Sequence, residues 1–442
     1  MLKLSPLHKV LPKSHRDKQI ALYATFTYIS KFINLSSSLI AIPLTYAYLG
    51  TAEFGALSTI VSAVSFLGFA DLGTGFGLQS LLPRFIQTKD FPRIKQYVGS
   101  TFVFQILISI SLFLITLAAV VYSPLLKLIN LEVVNPNIRY SFVTFCFCFC
   151  LSIPFSIVQR VQNALQEGHI SQIWSGVGSI SSLILLLIFV RLRLPLPWII
   201  FALYGMQMSI VIVNYLFEFY HRRVEFKPHM KSASLQTGWS VARVGGLYII
   251  IQLASIVLSS SSNLLLAHQS GMVAVANFAV IMRFVMMIAG PLSMVFPSLL
   301  PSINDALLNG EYLWIKNILR KSIRMLFIYT VVVALSLGTT GEYLINKWMG
   351  GVYIAEDSLW VPMIAYAVYF QVNGLLSFVM LTNMYIKSLL WLYTVAVSLT
   401  LYLKYLSVCY WGIHGLIGAE IIGMTIFFLA PSIYLLRKNN HI

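Results

Sequence analysis

Apolar residues along this chain gather in long stretches, each punctuated by only a few polar positions. Twelve stretches of 18 to 27 residues stand out, near 20–46, 54–71, 98–122, 138–158, 173–190, 197–219, 243–266, 272–296, 325–345, 359–381, 389–407 and 411–435. They are too long for strands and apolar on every side, so they predict helices that cross a hydrocarbon layer about 30 Å thick. The pattern predicts an all-α membrane protein with twelve transmembrane helices.

Polar groups inside such stretches are costly in lipid, and their placement carries information. Lys31 lies eleven residues after Ile20, which puts its ammonium roughly 16 Å along the first helix, near the bilayer midplane. At about 100° per residue, Thr27, Lys31, Asn34 and Ser38 share an arc of about 60° with Ala24 beside it, while Thr25, Ser36 and Ser37 lie off it. This polar stripe should face protein or water.

The chain repeats itself at an offset near 221. Gly50 matches Gly271, and Asp90-Phe91 with Ile94-Lys95 matches Glu311-Tyr312 with Ile315-Lys316; Trp198 and Gly205 match Trp411 and Gly418 at an offset of 213. Six stretches per repeat is an even number, so both halves enter the membrane in the same direction, related by a pseudo-two-fold axis along the membrane normal. The predicted lobes are residues 1–225 and 226–442, joined by a basic linker at His221 to Ser240. The repeat carries Lys31 onto Gln252, whose helix has its own stripe of Gln252, Ser255, Ser259, Ser262 and Asn263 within about 100°. Two symmetry-related first helices with polar faces suggest a hydrated cleft; polar contact between helices is the competing reading. Asp71-Leu72-Gly73 and Gly290-Pro291 interrupt the second and eighth stretches at matching places and are candidate hinges. Asp71, near an interface, is also a candidate helix cap.

Composition fits this frame: the chain is 58% hydrophobic and only 10% charged, against about a quarter charged in soluble proteins. A net charge of +16 would point to nucleic acid in a soluble protein, but here it follows the membrane. With the N-terminus inside, twenty-two lysines and arginines fall on the internal side and six on the external side, Lys404 among the six. The bias predicts cytoplasmic N- and C-termini, and no nucleic-acid partner is expected. The basic first nineteen residues, broken by Pro6 and Pro12, lack a signal peptide's apolar core, so the first helix is expected to be uncleaved. External connections are short, the longest running from Ser123 to Asn137, and none could fold as a domain.

Two cations remain deep in the helices, Lys31 and Arg283, the latter about 18 Å into the eighth stretch. A guanidinium there needs a carboxylate, carbonyls, water or an anionic ligand. Arg with Lys suits the several negative oxygens of a pyrophosphate; an internal ion pair is the alternative. Glu218 has Arg222 one turn away, and Glu342 is shallow. Glu420 is the deep carboxylate, a partner for Arg283 or a protonatable coupling group. Cys146, Cys148 and Cys150 alternate with Phe and read as small apolar filler, so no metal site is expected. The eight histidines lie mostly in loops, and there is neither a phosphate-binding glycine loop nor HExxH, so no catalytic set emerges.

The run Tyr48-Leu-Gly-Thr-Ala-Glu-Phe-Gly55, followed by an apolar helix, Asp71-Leu-Gly73 and Arg84, resembles the first two spans of Wzx-type polysaccharide and O-antigen flippases of the multidrug/oligosaccharidyl-lipid/polysaccharide exporter superfamily. Asn263 to Arg283 resembles their seventh and eighth spans. The chain departs from many members at Asn263, where they are acidic, and at Phe278, where they have Tyr, so neither a cation nor a proton is assigned to the seventh span. The resemblance implies movement of an undecaprenyl-pyrophosphate-linked oligosaccharide from the inner to the outer leaflet of a bacterial inner membrane by alternating access of two lobes. Lys31 and Arg283 would then hold the pyrophosphate, and Asn34, Gln252, Ser255 and Asn263 would line a cleft for sugars. Glu420 would serve coupling, with Asp71, Gly73 and Pro291 at hinges. No cofactor is expected; proton or sodium coupling is the candidate driving force. Membrane lipids and other envelope polysaccharide assembly proteins are the candidate partners. A multidrug exporter of the same superfamily and a membrane-embedded envelope-glycan polymerase or acyltransferase remain the alternatives. An exporter of cations would be expected to place carboxylates in the cleft, and an enzyme would normally need a larger outer loop.

Overall fold

The computed structural model describes residues 13–69, 71, 73–122, 138–293, 312–351, 357–380 and 386–438. The Ser123 to Asn137 connection, Leu72, Glu311 and the first twelve residues lie outside them, as do the side chains of Ala24 and Thr27. Among the described residues there is no strand. The helices are α1 (Lys13–Ser65), α2 (Thr74–Gln87), α3 (Phe91–Tyr122), α4 (Ile138–Phe155), α5 (Ile157–Ala164), α6 (Gly168–Arg191), α7 (Leu196–Arg222), α8 (Leu235–Gln269), α9 (Gly271–Ser293), α10 (Tyr312–Trp348), α11 (Trp360–Met380), α12 (Ile386–Met424) and α13 (Ala430–Lys438).

Nine helices among the described residues are long and apolar enough to cross a membrane. Two of these runs pass through a glycine whose backbone is not helical, Gly50 in α1 and Gly412 in α12; Gly50 falls in the gap between the first two apolar stretches, and Gly412 just inside the last one. Large apolar side chains such as Phe32, Leu335, Val361 and Trp391 stand on the outside of the spans. Lipid accommodates such a surface; water would not.

The sequence repeat reappears as geometry. Gly50 and Gly271 both hold positive φ, +72° and +81°, a conformation open to glycine at little cost. Phe91 and Tyr312, at the repeat offset, both begin long helices.

By their internal contacts the residues form two compact units that are not halves of the sequence. One comprises Met1–Ile40, Ala70–Thr116 and Thr144–Gly246; the other comprises Ala41–Phe69, Leu117–Val143 and Leu247–Ile442. The first unit is built on Leu78, Leu82, Ile94, Val98, Phe102, Ile157, Val161, Tyr215, Phe219, Phe226 and Val241. Tyr215 anchors it, stacked on Phe102 at 5.3 Å and edge-on to Phe155 and Phe219. The linker joins this core rather than hanging free: Phe226 is buried, and Ser234 N–H donates to Ser100 Oγ at 2.9 Å. Helix α8 packs against α2 with almost no space. A Cβ on Gly245 would lie 1.9 Å from the Gly73 carbonyl oxygen, and one on Gly77 would lie 2.1 Å from that of Val241.

In the second unit, Leu292, Ile315, Leu319, Leu326, Leu375, Phe378 and Val379 tie the end of α9 to the start of α10 and the end of α11, with Leu436 of α13 packed against them. At the opposite end of α9 the two glycine turns meet: a Cβ on Gly55 would fall 2.0 Å from the Met272 carbonyl oxygen.

Candidate functional site

The deepest polar centre of the second unit follows from one backbone event. Gly412, at φ +51° and ψ −129°, turns α12 back on itself, and residues at comparable distances on either side of the turn then face each other. Thr400 lies against Gly423 and the Ser407 carbonyl against Gly415. Lys404, eight residues before the turn, meets Glu420, eight residues after it. Eight residues of helix place this pair about 12 Å below the turn, inside hydrocarbon depth.

Lys404 Nζ lies 2.5 Å from Glu420 Oε2, and the side chains are 0% and 6% exposed. Nζ also donates to the Leu258 carbonyl at 2.8 Å and to Ser262 Oγ at 3.0 Å, so all three of its donors are used. Glu420 Oε1 accepts from Tyr366 O–H at 3.0 Å. The cluster clamps α8, α11 and both arms of α12. This corrects two expectations. Lys404 is not an external charge, because the turn comes at Gly412, beyond the gap in the apolar pattern near residue 408. Glu420 is paired with Lys404 and not with Arg283.

The two cations singled out in the sequence are separate from this clamp. Lys31, in the first unit, is partly buried, and Arg283, in the second, is exposed on α9; among the described residues neither forms an ion pair or hydrogen bond. Phe284, next to Arg283, is buried and stacks on Trp348 at 5.7 Å. The arginine therefore points off a face whose neighbour is fixed inward.

Part of each polar stripe is used in joining helices. Asn34 Nδ2 donates to Ser175 Oγ at 3.4 Å, and Ser179 Oγ donates to Asn34 Oδ1, which ties α1 to α6. Asn263 Nδ2 donates to Ser62 Oγ at 2.8 Å, while Ser262 is absorbed by the clamp. Ser255 Oγ reaches Tyr393 O–H at 3.4 Å and is itself exposed, and Gln252 is partly buried with a polar partner. Asn34 and Asn263 thus act between helices, where the sequence pattern alone had allowed a cleft.

At the candidate hinges, Asp71 Oδ1 accepts from Gly73 N–H at 2.9 Å. The residue that caps α2 is Gly73, with φ +69°, so the Asp71 carboxylate holds the turn before the helix instead of its first residue. Pro291 sits in the last turn of α9. Nearby, the Ile288 carbonyl accepts from Tyr329 O–H at 2.6 Å, which fastens this end of α9 to α10.

A third group holds one end of the first unit. Glu218, fully buried, meets Arg222 at 2.8 Å as its spacing predicts, and accepts from Gln162 Nε2 at 2.9 Å. Glu167 pairs with both Arg222 and Arg223 at 2.8 Å. Burial pushes the Glu167 carboxyl up, but the hydrogen bonds and charges of Arg222 and Arg223 outweigh it and hold the group below its ordinary range. Among the described residues no three His, Cys, Asp or Glu could hold a metal ion, and Cys146, Cys148 and Cys150 are each buried and free.

Against known proteins, residues 20–306 match the family model for polysaccharide biosynthesis proteins. No curated protein matches the chain. Among solved structures, the chain resembles an inward-facing multidrug resistance MATE family transporter of the MOP superfamily, with a TM-score of 0.73 at 13% identity, covering 95% of this chain and 99% of that one. A MOP superfamily transporter from Pyrococcus furiosus gives 0.68 at 13% identity over 96% of each chain. A variant of the MATE transporter VcmN from Vibrio cholerae gives 0.64 at 17% identity, over 96% of this chain and 98% of that one. At these identities the likeness establishes the fold alone.

Proposed function

The chain belongs to the polysaccharide biosynthesis protein family, and on that premise we propose that it flips an undecaprenyl-pyrophosphate-linked oligosaccharide between membrane leaflets. The cargo would be an O-antigen or similar surface-polysaccharide repeat unit, carried from the cytoplasmic to the periplasmic leaflet of a bacterial inner membrane. Family and fold make the chain a multi-pass membrane transporter of the flippase and exporter type.

The observation that carries the proposal is the pair of cations, Lys31 and Arg283, in apolar helices with no ion-pair partner among the described residues. A charged group at that depth faces a water-filled cavity or a ligand rather than lipid. A lipid-linked pyrophosphate carries the opposite charge that each of them requires. Ser255 and Gln252 would contact sugars, with residues 1–225 and 226–442 as the two lobes, Gly73 and Pro291 as their hinges and both termini in the cytoplasm. Other envelope polysaccharide assembly proteins would supply and take up the cargo. Proton or sodium coupling, with Glu420 as the candidate group, would drive the movement.

The test is reconstitution into liposomes with a fluorescent polyprenyl-pyrophosphate oligosaccharide. Lys31→Gln and Arg283→Gln should each slow flipping at least several-fold, and full flipping by both variants would overturn the anion site. Multidrug export is a second reading, favoured by the neighbours' fold. It predicts transport of organic cations, which two unpaired cations in the path would oppose.

A further inference from the structure

The first turns of α10 carry charge that the other described residues of their unit leave unanswered. Ile315, Leu319, Ser322 and Leu326 are buried and fix the helix against α9 and α11. Lys316, Arg320, Lys321 and Arg324 are therefore turned outward, and all four are exposed. Lys316, Arg320 and Arg324 follow at four-residue intervals within about 80°, with Lys321 about 60° beyond.

No carboxylate lies at this end of the unit among the described residues. Glu53 stands by the Gly50 turn, Glu342 is thirty residues along α10 from its start, Asp357 precedes α11, and Glu420 is bound to Lys404. Leu436, packed in the same apolar cluster, is followed in sequence by two more cations, Arg437 and Lys438. The first unit differs. There Glu167 takes Arg222 and Arg223, and Asp90 takes Arg93 at 3.2 Å.

The level of the stripe along the helix is set by composition. From Met325 to Gly341 α10 has no charged residue, a stretch of about 25 Å that matches the hydrocarbon layer. The four cations sit within the three turns just before it, at headgroup level, with Trp314 and Ile323 exposed beside them. Exposed aromatic and basic side chains together at that level suit the membrane interface.

We infer that Lys316, Arg320, Lys321 and Arg324 form a docking surface for the anionic phospholipids of the leaflet they touch. The protein would then carry a ring of bound acidic lipid at one end of the second unit, whatever it transports. Phospholipid headgroups would supply the counter-charge that the described residues do not provide there.

The test compares full-length protein in vesicles of phosphatidylcholine with and without phosphatidylglycerol, counting retained lipids by native mass spectrometry and following thermal unfolding. Wild type should retain phosphatidylglycerol several-fold over phosphatidylcholine and unfold later in its presence, and high salt should erode both effects. The Lys316→Gln/Arg320→Gln/Lys321→Gln/Arg324→Gln variant should lose the preference while unfolding as wild type does in phosphatidylcholine alone. Should that variant fail to fold, each of the doubles Lys316→Gln/Arg320→Gln and Lys321→Gln/Arg324→Gln should show a reduced preference. The inference is overturned by equal retention of the two lipids in wild type, or by a preference that survives the substitutions. It is also overturned if inorganic pyrophosphate in phosphatidylcholine vesicles reproduces the wild-type shift and the α10 substitutions abolish that shift, which would mark a site for free phosphate on the stripe.

Discussion

Removing one member of the buried clamp should cost far more than removing both. At 2.5 Å and an effective dielectric of about 20, Coulomb attraction between Lys404 and Glu420 is roughly 7 kcal/mol before the cost of taking both charges out of water. Deleting one partner leaves the other buried and uncompensated, a loss of about 3–5 kcal/mol. Lys404→Met, which keeps most of the volume, should fall in that range. Glu420→Leu strands the Lys404 ammonium and should fall in the same range. The double variant Lys404→Met/Glu420→Leu removes both charges and should return to within about 2 kcal/mol of wild type. Unfolding titrations in mixed detergent micelles, followed by tryptophan fluorescence, give the four free energies of the cycle. A coupling energy near zero, or a Lys404→Met variant as stable as wild type, would refute the reasoning.

Other outcomes follow from single contacts. Gly245→Ala drives a Cβ to within 1.9 Å of the Gly73 carbonyl and should destabilise by about 1–3 kcal/mol. Its neighbour Gly246 has nothing within 4 Å, so Gly246→Ala should be neutral or stabilising by up to ~1 kcal/mol in the same unfolding assay. Because Glu167 is held below its ordinary range, its contribution is fully present above the unfolded carboxylate pKa of about 4.3 and is lost as pH falls through the lower folded value. Stability followed from pH 6 downward should therefore fall more steeply in wild type than in Glu167→Gln. Cys409 is the exposed cysteine and lies three residues before the Gly412 turn. In right-side-out cells a membrane-impermeant maleimide should label it and leave Cys146, Cys148 and Cys150 unmodified; labelling only after permeabilisation would invert the proposed orientation.

Local and periodic information was legible in the sequence, and contacts across the fold were not. The repeat at Gly50 and Gly271 was readable because both positions need positive φ, and glycine reports that need directly. Glu218 with Arg222 was readable from one-turn spacing on a helix. The partners of Asn34 and Asn263 were not legible, because a polar stripe looks the same whether it faces water or another helix; Ser175, Ser179 and Ser62 come from elsewhere in the chain. Lys404 was missed for a narrower reason. A basic residue near the end of an apolar stretch resembles an interfacial anchor, and only its equal spacing with Glu420 about Gly412 reveals a partner. That spacing is in the sequence, so the signal was present.

The Gly412 turn has a consequence for how the chain enters a membrane. Lys404 and Glu420 are sixteen residues apart, so they can join while the two arms of α12 enter the bilayer together, and neither charge need cross the hydrocarbon alone. An arm carrying Lys404 without its mate would bear the penalty of a lone ammonium, about 3 kcal/mol or more on insertion scales. The last two spans are therefore expected to enter as one hairpin, and a nascent chain cut short before Glu420 should leave its final span outside the membrane.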